Sequence, residues 1–132
     1  MSAQSAHQAY KNNSVTTASP GELTLMLYNG CIKFLGKAKV AIHEKNIQEK
    51  NLNLQKAQRI IQELMSTLNM DIEISKSMLP MYEYMNHRLI EANIQNDSTL
   101  VSEVEGYVIE FRDTWKEVIK VNRQKTFTGN HA

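Results

Sequence analysis

Glutamate and histidine repeat at a spacing of four residues in one segment, which is the first pattern in the sequence that could do chemistry. Glu83, His87 and Glu91 would share one face of a helix, and their side chains are types that bind metal ions. Arg88 lies near that face, and the face lies off the apolar stripe, which favours a solvated polar surface. The alternative function is a metal-binding enzyme, an oxidase or a hydrolase, that uses these three residues.

Other motifs for catalysis or phosphate binding are absent from the sequence. No histidine follows a glutamate by three residues, which is the pattern of di-iron helical bundles. The sequence contains no GxSxG, no glycine-rich phosphate loop and no CxxC. The single cysteine, Cys31, lies in an apolar run, so we expect a small core residue. We expect a protein that is not an enzyme and needs no cofactor.

The composition limits the class of partner. The 132 residues suit one domain, and the net charge of +1 gives no strong field for nucleic acid. No apolar run reaches the ~18 residues of a membrane span, and the N-terminus lacks the apolar region of a secretory signal. We therefore expect a cytoplasmic protein.

Helical periodicity dominates the chain and must supply the elements that position any site. Ser19, Pro20 and Glu22 form a helix start signal, because serine can cap the first turn and proline is favoured at its first position. Asn46 with Glu49 gives a second, weaker capping signal, and Asp97 caps the fourth helix. The expected helices cover about residues 20–44, 47–68, a third that starts between 71 and 80, and 98–124.

Short breaks between these helices force consecutive helices to run antiparallel. The sequence thus predicts an all-α fold, an antiparallel up-down-up-down four-helix bundle over residues 19–124. An irregular, partly flexible N-terminal arm would precede it over residues 1–18, and a frayed tail would follow over 125–132. Pro80 leaves two alternatives open, because the third helix either starts there or bends there.

Several apolar residues lie outside the core stripes and are aligned along their helices. Such aligned sets favour a groove that takes a partner helix, with extra core burial as the alternative. Tyr10 and Val15 of the arm would either cover the end of the bundle or cover the groove until a ligand displaces them. The candidate partner-binding residues are Tyr10, Val15, Leu25, Tyr28, Ile32, Leu79, Ile90, Ile94 and Ile109.

A set of motifs over about residues 9–122 closely resembles the FliS family of flagellar chaperones. The order and spacing of the motifs are those of the family, and Pro80 is a departure from them. The matching segments are Ala9-Tyr10, VTTASPGEL at 15–23, MLYNG at 26–30, Ala57-Gln58, Ile60-Ile61, Glu63-Leu64, Tyr82-x-Tyr84-Met85, EANI at 91–94, Asn96-Asp97, EVEGY at 103–107 and FRDTWK at 111–116.

The resemblance implies a fold, a partner and a compartment. Family members are antiparallel helical bundles of the bacterial cytoplasm that bind the C-terminal segment of flagellin, which becomes helical on the chaperone. Binding prevents premature polymerisation and delivers flagellin for flagellar type III secretion, and the arm with Tyr10 and Val15 would share space with the client. Further expected partners are the flagellar export apparatus, flagellar regulatory proteins and a second copy of the chain in a homodimer.

Overall fold

The computed structural model describes the backbone of residues 19–130 and the side chains of residues 19–122. Within that range the chain forms four helices and no strand, which confirms the prediction of an all-α fold. The predicted arm, including Tyr10 and Val15, lies outside the described residues. The helices are α1 (Pro20–His43), α2 (Ile47–Ser66), α3 (Glu73–Gln95) and α4 (Ser98–Asn130).

Side-chain caps start three of the four helices, as the sequence predicts. Ser19 Oγ accepts a hydrogen bond from the backbone N–H of Glu22 at 3.2 Å, with Pro20 at the first helical position. Asn46 Oδ1 accepts from the N–H of Glu49 at 3.2 Å, and Asp97 Oδ1 accepts from the N–H of Thr99 at 2.9 Å. These bonds satisfy backbone donors that a helix start leaves unpaired.

Two helix ends differ from the expected ones by two residues or more. α2 ends at Ser66, two residues before the expected end at Leu68, and α4 continues to Asn130, beyond the expected Gln124. Pro80 lies inside α3 and does not start it, because the helix already begins at Glu73. The alternative in which the third helix starts at Pro80 is therefore wrong.

The four helices pack as a closed ring. α1 packs against α2 and α4, and α3 packs against the same two neighbours. Lys39, late in α1, pairs with Glu105, early in α4, at 2.6 Å. Trp115, later in α4, donates from Nε1 to the carbonyl of Gly21 at the start of α1 at 2.8 Å. The predicted antiparallel four-helix bundle is therefore confirmed.

A pair of phenols lies at the centre of the otherwise apolar core cluster. Tyr28 of α1 and Tyr82 of α3 join their hydroxyls across the bundle at 2.6 Å, and the ring of Phe111 meets both edge-on. Tyr28 is only 2% exposed, so the prediction that it binds a partner is wrong. Its hydroxyl has a buried partner, which a helical wheel drawn for one helix cannot reveal.

Cys31 lies in the same core and is fully buried, as the sequence predicts. Its Sγ lies 3.9 Å from the carbonyl oxygen of Ala57. Burial raises the pKa of the thiol to about 12, because the thiolate would lose its hydration. The group is therefore a packing residue and not a reactive thiol.

Candidate partner-binding surface

Three of the predicted site residues meet along the seam between α1 and α4. A Cβ on Gly36 would lie 4.0 Å from Glu105 Oε2, so this flank of α1 faces α4. Ile32 lies one turn before Gly36, and Ile109 lies one turn after Glu105, on the same flanks. Leu25 follows one turn after Gly21, which contacts α4. All three apolar residues are half-buried, and Ile32 packs against the core.

Three more of the predicted site residues, Leu79, Ile90 and Ile94, lie on α3, on the side that faces α2. Asn86 accepts a hydrogen bond from Gln58 of α2 at 3.1 Å, and Ile90 lies one turn after Asn86. Ile94 follows Ile90 by one more turn and is 77% exposed, whereas Ile90 is 41% exposed. Leu79, toward the start of the helix, is half-buried. This row is thus the more accessible of the two.

The two rows lie on opposite sides of the bundle. The α1–α4 seam and the α2–α3 seam share no helix, and in a closed ring of four such seams are opposed. A single straight helix therefore cannot cover both rows at once. The sequence assigns each residue to a face of its own helix, but it does not show which helix packs beside that face.

Ile47 adds to the α3 row, although the sequence analysis did not select it. It is the first residue of α2 and is 62% exposed. Lys50, one turn later, donates to the carbonyl of Asn93 at 3.0 Å, which brings this end of α2 beside the end of α3. We define the α2–α3 apolar surface by Ile47, Leu79, Ile90 and Ile94. An isoleucine at a helix start, outside the core stripe, was the signal that could have found it.

The structure does not support the metal site considered as the alternative. His87 Nε2 lies 3.5 Å from Glu91 Oε1, but Glu91 also pairs with Arg88 at 3.2 Å. Glu83 is exposed and joins neither of them. Across the part of the chain that the structure describes, no group of three or more histidine, cysteine or acidic side chains could hold a metal ion.

Arg88 instead belongs to a polar cluster that joins α3 to α4. Glu103 accepts from Tyr84 at 2.7 Å, from Arg88 Nε at 2.9 Å and from Tyr107 at 3.2 Å. The hydrogen bond from Tyr84, with the Arg88 bond and charge, holds the pKa of the Glu103 carboxyl below its ordinary value. The same bonds raise the pKa of both tyrosine hydroxyls. The cluster fixes the spacing of α3 and α4, and sequence reasoning did not find it.

Comparison with known proteins decides the family. Residues 2–122 match the family model described as flagellar protein FliS. The chain belongs to the FliS family. It is 56% identical to the flagellar secretion chaperone FliS of Bacillus subtilis, an alignment that covers 94% of this chain and 93% of the relative. The FliS of Escherichia coli is 34% identical, over 89% of this chain and 91% of that protein.

The fold of this FliS-family chain also agrees with a solved structure. A crystal structure of a flagellar chaperone from bacteria matches with a TM-score of 0.72 and 21% identity, over 89% of this chain and 97% of that one. At that identity the match supports the fold alone. The family places the chain among chaperones of flagellar export and not among enzymes. None of its described helices is both long and apolar enough to cross a membrane.

Proposed function

We propose that this FliS-family chaperone binds the C-terminal helical segment of flagellin on the α2–α3 apolar surface. Binding in the bacterial cytoplasm would prevent premature polymerisation and deliver flagellin for flagellar type III secretion. One observation carries the proposal: Ile90 and Ile94 stand exposed one turn apart on α3, whose opposite face is already filled by core residues. The core therefore leaves this second apolar row free for a partner.

The dimensions of α3 fit a helical client. Its 23 residues correspond to a length of roughly 35 Å, enough for about six turns of a bound helix. An amphipathic client helix would place its own apolar residues, one or two turns apart, against Ile90 and Ile94. Ordering a disordered segment costs several kcal/mol, so the complex can form with a large contact and still be released.

The α1–α4 seam is a secondary part of the proposed site. Leu25, Ile32 and Ile109 are half-buried, so each offers less free surface than the residues of α3. A client that continues past one end of the bundle could reach this seam with a second segment. The proposal also keeps Tyr10 and Val15 of the arm as residues that share space with the client, and it leaves Tyr28 out.

A substitution in the apolar surface tests the proposal directly. Wild type mixed with a peptide from the flagellin C-terminus should show a gain of helical circular dichroism and a measurable binding heat. Ile94→Asp should weaken binding by about tenfold or more, because it places a charge against the apolar face of the client. The variant should remain folded, since Ile94 is 77% exposed.

Val121→Asp is the matched control, because Val121 is an exposed aliphatic residue of α4, outside the proposed surface. It should bind the peptide like wild type. The proposal fails if the peptide gains no helicity on mixing, or if Ile94→Asp and Val121→Asp bind equally well. Ile32→Asp is a less clean probe than the sequence suggested, because Ile32 packs against the core and the change should also destabilise the bundle.

Self-association is a second candidate for the same surface, since exposed isoleucines would also pack against another copy of the chain. Light scattering with and without the flagellin peptide separates the two roles. A homodimer that the peptide converts to a monomeric complex would show that client and second copy share the surface. The flagellar export apparatus and flagellar regulatory proteins stay as further proposed partners.

A further inference from the structure

A pocket of about 410 Å³ opens at one end of the bundle, where the α1–α2 turn meets the end of α3. Ile42 and Ile47 form its apolar wall, while two lysines and two asparagines form its polar wall. Ile47 also belongs to the α2–α3 apolar surface, so the pocket lies at the end of that surface. The polar residues are Lys45, Asn46, Lys50 and Asn96.

The pocket has two lysines and no carboxylate among its described lining residues. Lys50 is only 5% exposed, and its ammonium donates to two neutral acceptors, the carbonyl of Asn93 and the side-chain oxygen of Asn96. Throughout the described side chains, neither Lys45 nor Lys50 has a carboxylate within 4.0 Å. The end of α3 supplies roughly half a negative charge, which offsets the buried ammonium only in part.

Lys45 occupies a backbone position where a lysine is unfavourable. Its φ of 57° lies in the left-handed region, and its N–H bonds to the carbonyl of Ile42. The N–H of Asn46 bonds to the carbonyl of Ala41, which completes a Schellman motif at the end of α1. Glycine is the usual residue at this position, because a residue with a Cβ is strained there. A lysine therefore lies beside the pocket at a strained backbone position.

The two asparagines add hydrogen-bond donors to these cations. Asn46 uses its Oδ1 to cap α2, and Asn96 uses its Oδ1 to accept from Lys50. Within the described residues the Nδ2 group of each side chain makes no hydrogen bond of its own. Two lysines and two asparagines therefore line this pocket beside apolar residues, and ammonium and amide donors are the groups that recognise a carboxylate.

We propose that this pocket binds the free α-carboxylate at the C-terminus of the client polypeptide, an inference that rests on the proposed function. Ile90 and Ile94 run along α3 toward Asn96, so a client helix on this surface would bring one of its ends to the pocket. A C-terminal segment always ends on a carboxylate, whatever its sequence. Its last carbonyls, unpaired at a helix end, would accept from the asparagine amides.

The experiment compares two forms of one flagellin C-terminal peptide of about 30 residues, long enough to span α3 as a helix. One form carries the free acid and the other a C-terminal amide, so their acidic side chains are identical. By calorimetry, wild type should bind the amide about tenfold more weakly than the acid. Lys45→Gly should weaken binding of the acid by a similar factor, so that the acid and the amide bind this variant with nearly equal affinity.

Lys45→Gly is chosen because glycine suits the left-handed position, so the variant should fold at least as well as wild type. Lys120→Ala is the control for net charge, since Lys120 is an exposed lysine of α4 outside the pocket, and it should keep the tenfold preference. Lys50→Met gives a second test, because it removes the buried ammonium and retains a long apolar stem.

Each outcome has a defined meaning. Equal binding of acid and amide to wild type overturns the carboxylate pocket and leaves the proposed function intact. A preference for the acid that Lys45→Gly and Lys50→Met both retain also overturns the pocket, because the carboxylate then binds elsewhere. Failure of both peptides to bind overturns the proposed function and this inference together.

Discussion

The hydroxyl pair of Tyr28 and Tyr82 is the polar contact at the centre of the bundle, and its energetics can be tested by deleting one or both hydroxyls. Tyr28→Phe should lower the free energy of unfolding by about 1–3 kcal/mol, because the hydroxyl of Tyr82 stays buried without its partner. The double variant with Tyr82→Phe should lose less than the sum of the two single changes. Urea unfolding curves measure all three, and strictly additive losses would contradict the pair.

The Glu103 cluster should make stability depend on pH. The pKa of this carboxyl is depressed in the folded protein below its ordinary value of 4.5, chiefly by the hydrogen bond from Tyr84. A depressed folded pKa stabilises the fold above pH 4.5, and that contribution disappears as the pH falls through the folded value. Wild type should therefore melt a few degrees above Glu103→Gln at neutral pH, and the difference should shrink as the pH falls below 4.5.

Thermal melts at pH 7, 5 and 3.5 check this expectation, with Glu110→Gln as an exposed control on the same helix. A difference between wild type and Glu103→Gln that persists unchanged at pH 3.5 would show that the charge of Glu103 is not its source. The sequence could not have predicted this cluster, because its members come from two helices. Tyr84 and Arg88 meet Glu103 only when α3 and α4 are in register.

At the level of the helices, Pro80 is the main irregularity. It lies at the eighth residue of α3, where proline removes one backbone hydrogen bond and crowds the preceding turn. Pro80→Ala should raise the free energy of unfolding by about 1–2 kcal/mol, less than the ~3 kcal/mol propensity difference, because proline also restricts the unfolded chain. Denaturant curves measure the change. A loss of stability would mean that α3 needs the proline at this exposed position.

The three helix starts that carry a side-chain cap were predictable from the sequence, whereas the uncapped start of α3 and the helix ends were less so. A cap is a local signal, as with Ser19 and Asn46, whose side chains bond to N–H groups three residues later. The ends depend on tertiary packing and on residues that tolerate the left-handed region. Asn96 is such a residue and ends α3, but Lys45 at the end of α1 is not one that propensity would choose.

The candidate site also combines positions that helical periodicity predicts with one that packing between helices decides. The off-stripe positions of Ile90 and Ile94 follow from helical periodicity, and both are exposed. The assignment of Tyr28 failed because it lies at the edge of its own helix stripe yet points toward the diagonal neighbour. Periodicity gives the direction of a side chain around one helix axis. It carries no information about which other helix fills that direction.

The whole molecule presents two apolar seams on opposite sides, and the arrangement limits what one client can do. A client helix on the α2–α3 apolar surface covers Ile90 and Ile94, while Leu25 and Ile109 face away from it. The sequence did not predict these seams, because four helices can be ordered around a core in more than one way. The bundle type itself was predictable, because the breaks between helices are short.

Binding at these seams should carry the thermodynamic signature of apolar burial and not that of charge attraction. The net charge of the chain is only +1, so no long-range field steers the client. The affinity for the flagellin peptide should therefore change less than tenfold between 50 and 500 mM salt. Burial of apolar surface together with folding of the client should give a negative heat-capacity change of several tenths of a kcal/mol per kelvin.

Calorimetry of the flagellin peptide at several temperatures and salt concentrations measures both quantities on the intact chain. Ile94→Asp should reduce the magnitude of the heat-capacity change together with the affinity, whereas Val121→Asp should alter neither. A heat-capacity change near zero, combined with a steep loss of affinity in salt, would assign the binding energy to charged side chains. The apolar rows would then be ordinary surface residues, because hydrophobic contact cannot form without removing apolar area from water.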